Sequence, residues 1–271
     1  IPGPPSYLND FQGVYAAAIG TSFFQQCVPS NSLDLALSFT AAHWLSRKPC
    51  NLKHSLAHFV RADEEERRLF KEQGAHDWLT FLTHRAAELS PGGQAVIATS
   101  ALHENGNSDN SCKDHHDTTV LSNKWLQMKE EGRITEEEFV NTNLIMYCRT
   151  LTEIEAPFKD EDSPVYKDGL RIVKILMKTI ICPSYKDWIS DGAHDSSESA
   201  QLYAKSYVSN MRAWTEHALQ SGLSERRDTD ERKTIVDHVY RIIEDEVSDN
   251  PEGYTTMWYT AIVHFMKLPQ E

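Results

Sequence analysis

Four short runs rich in β-branched and aromatic residues, set apart by long stretches of helical periodicity, constrain the fold of this chain more than any other feature. They are LDLALSF (33–39), QAVIATS (94–100), LRIVKILMKTII (170–181) and MWYTAIVHFMKL (257–268). Runs of this length and composition form buried strands. Between the first two, a helix is predicted over 62–89. It opens on the acidic DEEE, which suits a helix N-terminus, and Leu69, Phe70, Trp78, Leu79, Phe81 and Leu82 supply an apolar stripe. Further helices are predicted over 118–131, 135–143, 198–219 and 228–247, and Thr135 with Glu138 makes a capping box. Asn9 and Asp10 are expected to cap a short helix through Phe11 and Tyr15 to Ala18, with Gly20 as its stop. Ser90-Pro91-Gly92-Gly93 reads as a turn and 103–117 as an exposed polar loop.

Strands alternating with long helices indicate an α/β fold with a central, mostly parallel sheet. The two helices after the second strand are expected to cap one sheet edge. Ligands of such sheets bind at the carboxyl ends of the strands, so residues 38–44, leaving the first strand, lie where chemistry is expected.

The charge balance narrows the partners. Asp and Glu number 40 against 27 Lys and Arg, a formal net charge of -13, and such a surface repels phosphate backbones. A nucleic-acid partner is therefore not expected. No apolar run is long enough for a membrane span, and the opening IPGPPSYLND lacks the pattern of a secretory signal. Cys27, Cys50, Cys112, Cys148 and Cys182 are scattered and odd in number, which fits reduced thiols in a cytoplasmic protein. There is no G-x-S-x-G elbow, P-loop or dinucleotide fingerprint. The run CKDHHD at 112–117 holds metal-ligating side chains, yet it draws them from one polar loop instead of two elements. No metal is expected.

The order of residues resembles a known family. Ser22-Phe23-Phe24, then Val28-Pro29-Ser30-Asn31-Ser32-Leu33, then His43-Trp44-Leu45-Ser46 with Pro49 follow the SABATH methyltransferase pattern SFY-x-x-LFP-x-NSLH-x-x-x-SSYSLHWLS-x-x-P. Further matches keep the same order: Asn9-Asp10-Phe11, RAAELSPGG at 85–93, Gln127-Met128, Glu131-Gly132, Tyr147, Thr152-Glu153-Ile154-Glu155 and Met211-Arg212-Ala213. The resemblance implies a Rossmann-like class I methyltransferase sheet with a helical cap. It divides the chain into a core at 1–102, a helical cap insertion at 103–169, and the rest of the core with second cap helices and the final strand at 170–271. It implies S-adenosyl-L-methionine as cofactor, a small-molecule carboxylic acid as substrate, and the homodimers common in that family.

Residue by residue, the resemblance sets Trp44 as indole donor to the substrate carboxylate, with His43 beside it as pocket wall or donor. Without it, Trp44 is a core tryptophan after a strand and His43 a satisfied structural side chain. Ser22 and Phe23 match the loop that packs on the cofactor adenine, and Ser38 and Phe39 end the strand below it; unaided, 22–23 reads as a simple turn. Tyr147, Met211, Trp214 and Trp258 match pocket-lining positions, where plain core is the bland alternative. Thr40 stands where the family usually has tyrosine, which widens the pocket and puts a planar salicylate-like substrate in doubt. Of the family's magnesium position only Asn143 matches, with Val140 and Thr142 at the others.

Other departures matter. The family's glycine-rich cofactor loop and substrate glutamine have no counterpart here, so the chain is expected to begin just after the second strand. Between Tyr15 and Ser22 stand only AAAIGT, too short for the strand the family has there. Omitted segments are the expectation, with a fragment unable to bind cofactor alone as the alternative. Two other functions stay open: N-methylation of a small nitrogenous substrate, and a catalytically inactive binding or scaffold protein.

Overall fold

The computed structural model describes residues 11–104, 115–190, 196–255 and 257–269. In chain order the elements are β1 (Leu33–Phe39), α1 (His58–Arg61), α2 (Glu64–Glu88), β2 (Leu89–Ser100), α3 (His116–Glu130), α4 (Glu136–Asn141), α5 (Leu151–Lys159), α6 (Pro164–Lys167), β3 (Leu170–Ile181), α7 (Pro183–Ser190), α8 (Ser197–Gly222), α9 (Thr229–Asp249) and β4 (Met257–Lys267). All four apolar runs are strands. They form one sheet of order β1-β2-β4-β3, with β1 parallel to β2 and β4 antiparallel to both its neighbours. Three strands therefore run one way, and the last inserts against them.

The local signals are chemical and survive folding. Asp63 caps α2 and Glu66 returns the bond to the Asp63 N–H, and the Thr135–Glu138 box opens α4 as its spacing predicts. The Ser90–Gly93 turn is a bulge inside β2: Leu33 pairs with Leu89, but Leu35 already pairs with Gln94. The helix expected over 11–18 does not form. That segment is irregular and exposed, with Tyr15 94% accessible and Gly13 at φ 73°. A short helix without a surface to cover cannot repay its nucleation cost. Its proposed caps, Asn9 and Asp10, lie outside the described residues.

Two apolar clusters organise the molecule. One face of the sheet, through Ala95, Ile97, Val263 and Phe265, packs under Trp78, Phe81 and Leu82 of α2 and Ile154 and Phe158 of α5. The other cluster is helical: Leu121 and Trp125 of α3, Phe139 of α4, Tyr207 and Met211 of α8, and Val239, Tyr240 and Ile243 of α9. The 103–169 segment thus feeds both. On the second sheet face Leu35, Leu37 and Phe39 of β1 remain exposed, at 57–60%. The helical cluster meets the sheet at its carboxyl edge, where Trp44, Met146 and Trp214 pack against it.

The cap is tied down by close approach of α8's last residue to the chain after α4. A Cβ on Gly222 would lie 1.9 Å from Thr142 Oγ1 and 2.7 Å from its Cα, so backbone itself would have to move. Gly to Ala within a helix ordinarily stabilises, by about 1 kcal/mol. Here Gly222→Ala should instead cost about 3 kcal/mol through overpacking and lower Tm by roughly 8 °C. An unchanged melting curve by circular dichroism would show that this contact does not hold the cap.

Candidate active site

At the carboxyl edge of the sheet a cavity of ≈ 510 Å³ opens, within the ordinary size of small-molecule sites. Phe39 and Thr40 leave β1 into it, Ala98 and Ser100 end β2, Ile180 ends β3, and Trp258 and Thr260 begin β4. The cap supplies His115, Asp117, Thr118, Met146, Pro183 and Trp214. Most of this lining is apolar, and three of its walls are tryptophan.

Residues 40–46 are held by an unusual set of backbone bonds. Thr40 N–H donates to Ala98 O while Thr40 itself sits at φ 54°, a left-handed conformation costly for a β-branched residue. Trp44 forms an antiparallel bridge with Met146, flanked by Leu45 N–H to Ile145 O and Tyr147 N–H to His43 O. Beneath them Arg149, 1% exposed, donates from Nη1 to Ala42 O and from Nη2 to Gly74 O, each at 2.8 Å. Burial lowers its pKa to about 10, still far above neutrality.

His43 is buried and accepts the Ser100 N–H on Nδ1 at 3.4 Å. Burial first, then the charges of His115 and Arg149, lower its pKa to about 3. It is therefore neutral at physiological pH, and with Nδ1 accepting, its proton resides on Nε2. Its ring lies 5.6 Å from that of Trp44, which lies 6.4 Å from Trp214. The indole N–H of Trp44 donates to none of the described residues. That of Trp258 donates to Asp117 Oδ2 at 3.4 Å. The cavity thus presents uncharged donors on apolar walls, with one carboxylate, Asp117, on its cap side.

A family model described as SAM-dependent carboxyl methyltransferase matches residues 5–267. The chain belongs to that family. Gibberellic acid methyltransferase 1 of Arabidopsis thaliana is 27% identical over 155 residues, 52% of this chain and 41% of that protein. Anthranilate O-methyltransferase 2 of Zea mays is 28% identical over 206 residues, covering 74% and 50%. The chain spans about half the length of the curated relatives it matches. Among solved structures, "Loganic acid methyltransferase with SAH" superposes with a TM-score of 0.68 at 19% identity over 94% of this chain and 67% of that one, a likeness of fold.

In this member of the family the fold gathers Phe39, Thr40, His43, Trp44, Trp214 and Trp258 around one cavity. Other residues singled out from the sequence stand elsewhere. Tyr147 does not line the cavity: it is buried with Leu52 and Phe70, stacks on His58 at 4.7 Å and donates to Glu153 Oε1 at 2.9 Å. Its neighbour Met146 takes the cavity position, because side chains alternate along the extended segment that bridges Trp44. Met211 is buried in the helical cluster, while Trp214 follows Asn210 and Ser206 on the adjacent row of α8, facing the cavity and the groove beside it. Phe23 is half-buried against Phe81 of α2, and Arg85 donates to its carbonyl at 2.9 Å. Neither it, Ser22 nor Ser38 is among the lining residues. Of the 112–117 run, Cys112, Lys113 and Asp114 lie outside the described residues, whereas His115 and Asp117 line the cavity. In the sequence those two stand out only as potential metal ligands. No local pattern in the sequence marks them as cavity residues.

Proposed function

We propose that the protein transfers a methyl group from S-adenosylmethionine to the carboxylate of a small organic acid, giving a methyl ester. The observation that carries this reading is the uncommitted Trp44 indole N–H beside a neutral, Nε2-protonated His43 in an apolar cavity at the carboxyl edge. Both are donors, and two donors suit the two oxygens of a carboxylate. A carboxylic acid with a pKa near 4 is already ionised at neutral pH, so no general base is needed. Trp44 and His43 would fix the acid, Thr40 would set the width of the pocket, and Phe39, Met146, Ile180, Trp214 and Trp258 would exclude water.

The cofactor, when bound, supplies an electrophilic methyl on a sulfonium. The described residues fit part of it. Among the described residues β1 pairs on one side only, and Phe39, 60% exposed at its carboxyl end, offers a flat apolar surface to an adenosyl group. Ser38 and Phe39 would hold it there, with Ser22 and Phe23 as contacts drawn from the resemblance. We place the protein in the cytoplasm, a reading supported by the unpaired thiols of Cys27, Cys50, Cys148 and Cys182. No helix among the described residues is long and apolar enough to cross a membrane.

Calorimetry of the full-length protein with S-adenosylmethionine tests this reading against a scaffold role. A saturable binding isotherm is expected. No heat at millimolar cofactor would overturn the enzymatic reading in favour of a binding protein.

A further inference from the structure

Asp117 is the carboxylate among the residues lining the cavity, and its setting is an odd one for a pocket that takes an acid. It lies in the first turn of α3, 3% exposed. Oδ1 accepts the Thr118 N–H at 2.8 Å and Oδ2 accepts the Trp258 indole N–H at 3.4 Å, a long bond. The Thr118 hydroxyl donates to Oδ1 as well, at 3.4 Å, so three of the about four lone-pair sites of an ionised carboxylate are spoken for and one remains, on the Oδ2 side. No Lys or Arg forms a salt bridge with it among the described residues. The titratable groups that act on it are His115 and His116 from its own turn, and its charge in turn reaches the buried Cys148 thiol. His43, also in the cavity wall, is neutral and carries no charge to pair with Asp117.

Two carboxylates in one small, largely apolar cavity repel each other, and that repulsion is strongest where water is excluded. An acid with nothing further to offer would leave the buried Asp117 carboxylate with no salt-bridged Lys or Arg among the described residues and with one acceptor site unfilled, which is costly. An ammonium group on the acceptor offsets both penalties, and a hydroxyl fills the remaining acceptor site. Stabilising the positive end of α3 explains an acid in the first turn, since any exposed position there would serve. It does not explain why the acid is buried against the indole of a cavity-lining tryptophan.

We propose that Asp117 is a specificity-determining residue that reads a hydrogen-bond donor on the acceptor, so that the acid this site takes carries a hydroxyl or ammonium group away from its carboxylate. This rests on the acceptor-site reading above. The carboxylate end is held by Trp44 and His43; the donor end is held by Asp117, with the Trp258 indole fixing the Asp117 side chain. An acid of this class is the product of a hydroxylation or of an amino-acid-forming reaction, either of which must act before this one.

The test is calorimetric binding to the full-length protein, saturated with S-adenosylhomocysteine so that no turnover occurs. The probes are cyclohexanecarboxylate, 4-hydroxycyclohexanecarboxylate and 4-aminocyclohexanecarboxylate. Wild type is expected to bind the hydroxy and amino acids at least tenfold more tightly than the plain acid, and a larger advantage for one of them identifies the donor. In Asp117→Asn the plain acid should bind about tenfold better than in wild type, and the ammonium preference should vanish. A damaged site would not gain affinity in this way. Equal affinities for the three acids in wild type would overturn the proposal whether or not the variant folds. Unchanged ratios in Asp117→Asn would do the same. Donor-dependent binding without any methyl ester on adding S-adenosylmethionine would sink the methyltransferase reading and leave this inference standing. No binding of any probe to wild type or variant would remove both.

Discussion

Replacing Trp44 with alanine should lower methyl transfer to an acid at least a hundredfold while leaving S-adenosylmethionine affinity within about twofold. Hydrogen bonds to a charged partner contribute about 1.5–3 kcal/mol, or roughly 10–150-fold, and the alanine variant also loses the wall that keeps water out. The backbone around Trp44 does not depend on its side chain. It is held by the bridge to Met146, by Leu45 N–H to Ile145 O, and by Arg149 on the Ala42 carbonyl. The variant should therefore fold, with a lower melting temperature from the packing that Trp44 gives the helical cluster. Trp44→Phe separates the two contributions, since it keeps a ring at the wall and removes only the N–H. Its kcat/KM should fall about tenfold, chiefly through a higher KM. Wild-type turnover in Trp44→Ala would remove this residue from the site.

Stability should fall steeply with acid, beginning near pH 6.5. His43 and His58 are both buried, and burial is the first cause that lowers each pKa to about 3. His58 is stacked between Phe70 and Tyr147, at 5.5 and 4.7 Å, and accepts the Cys148 N–H on Nε2. In the unfolded chain both histidines bind protons once the pH drops below 6.5, whereas in the folded chain they resist until about 3. The unfolded state therefore holds more protons across that window. Full stability is present above pH 6.5 and is lost as the pH falls, at about 1.4 kcal/mol per pH unit for each histidine. Glu138, held down to about 2 by Arg227, adds a loss of the same sign below its unfolded value of 4.5. Asp117 acts oppositely, since burial raises its pKa and the folded protein takes up its proton first. Urea unfolding at pH 7.5, 6.0 and 5.0 should show falling midpoints, and His58→Gln should flatten the decline. Equal midpoints at pH 7.5 and 5.0 would contradict the buried neutral state of both rings.

What the sequence discloses of this molecule is mainly what local chemistry decides. The four strands follow from short β-branched runs, and α2 and α4 from acids placed where capping needs them. Thr40, His43 and Trp44 are legible too, because they leave the carboxyl end of a strand. The far wall is not legible. Met146, Asp117, Ile180 and Pro183 reach the cavity from segments distant in sequence, and nothing local marks them. Tyr147 fails by a single residue, the most an alternating segment can hide, since one step turns a side chain to the opposite face. Met211 fails by one row of a helix. The segment 11–18 fails because capping residues cannot make a helix that has no surface to cover.

Presentation of a small acid to a methyl donor is the role proposed for this cavity. It is tested most directly by incubating the full-length protein with methyl-deuterated S-adenosylmethionine and a panel of small carboxylic acids, hydroxylated, aminated and plain, and detecting products by mass. A methyl ester carrying the label, formed from at least one acid and lost in Trp44→Ala, is the predicted result. Label appearing on nitrogen and on no carboxylate, or ester formation that persists unchanged in Trp44→Ala, would contradict it.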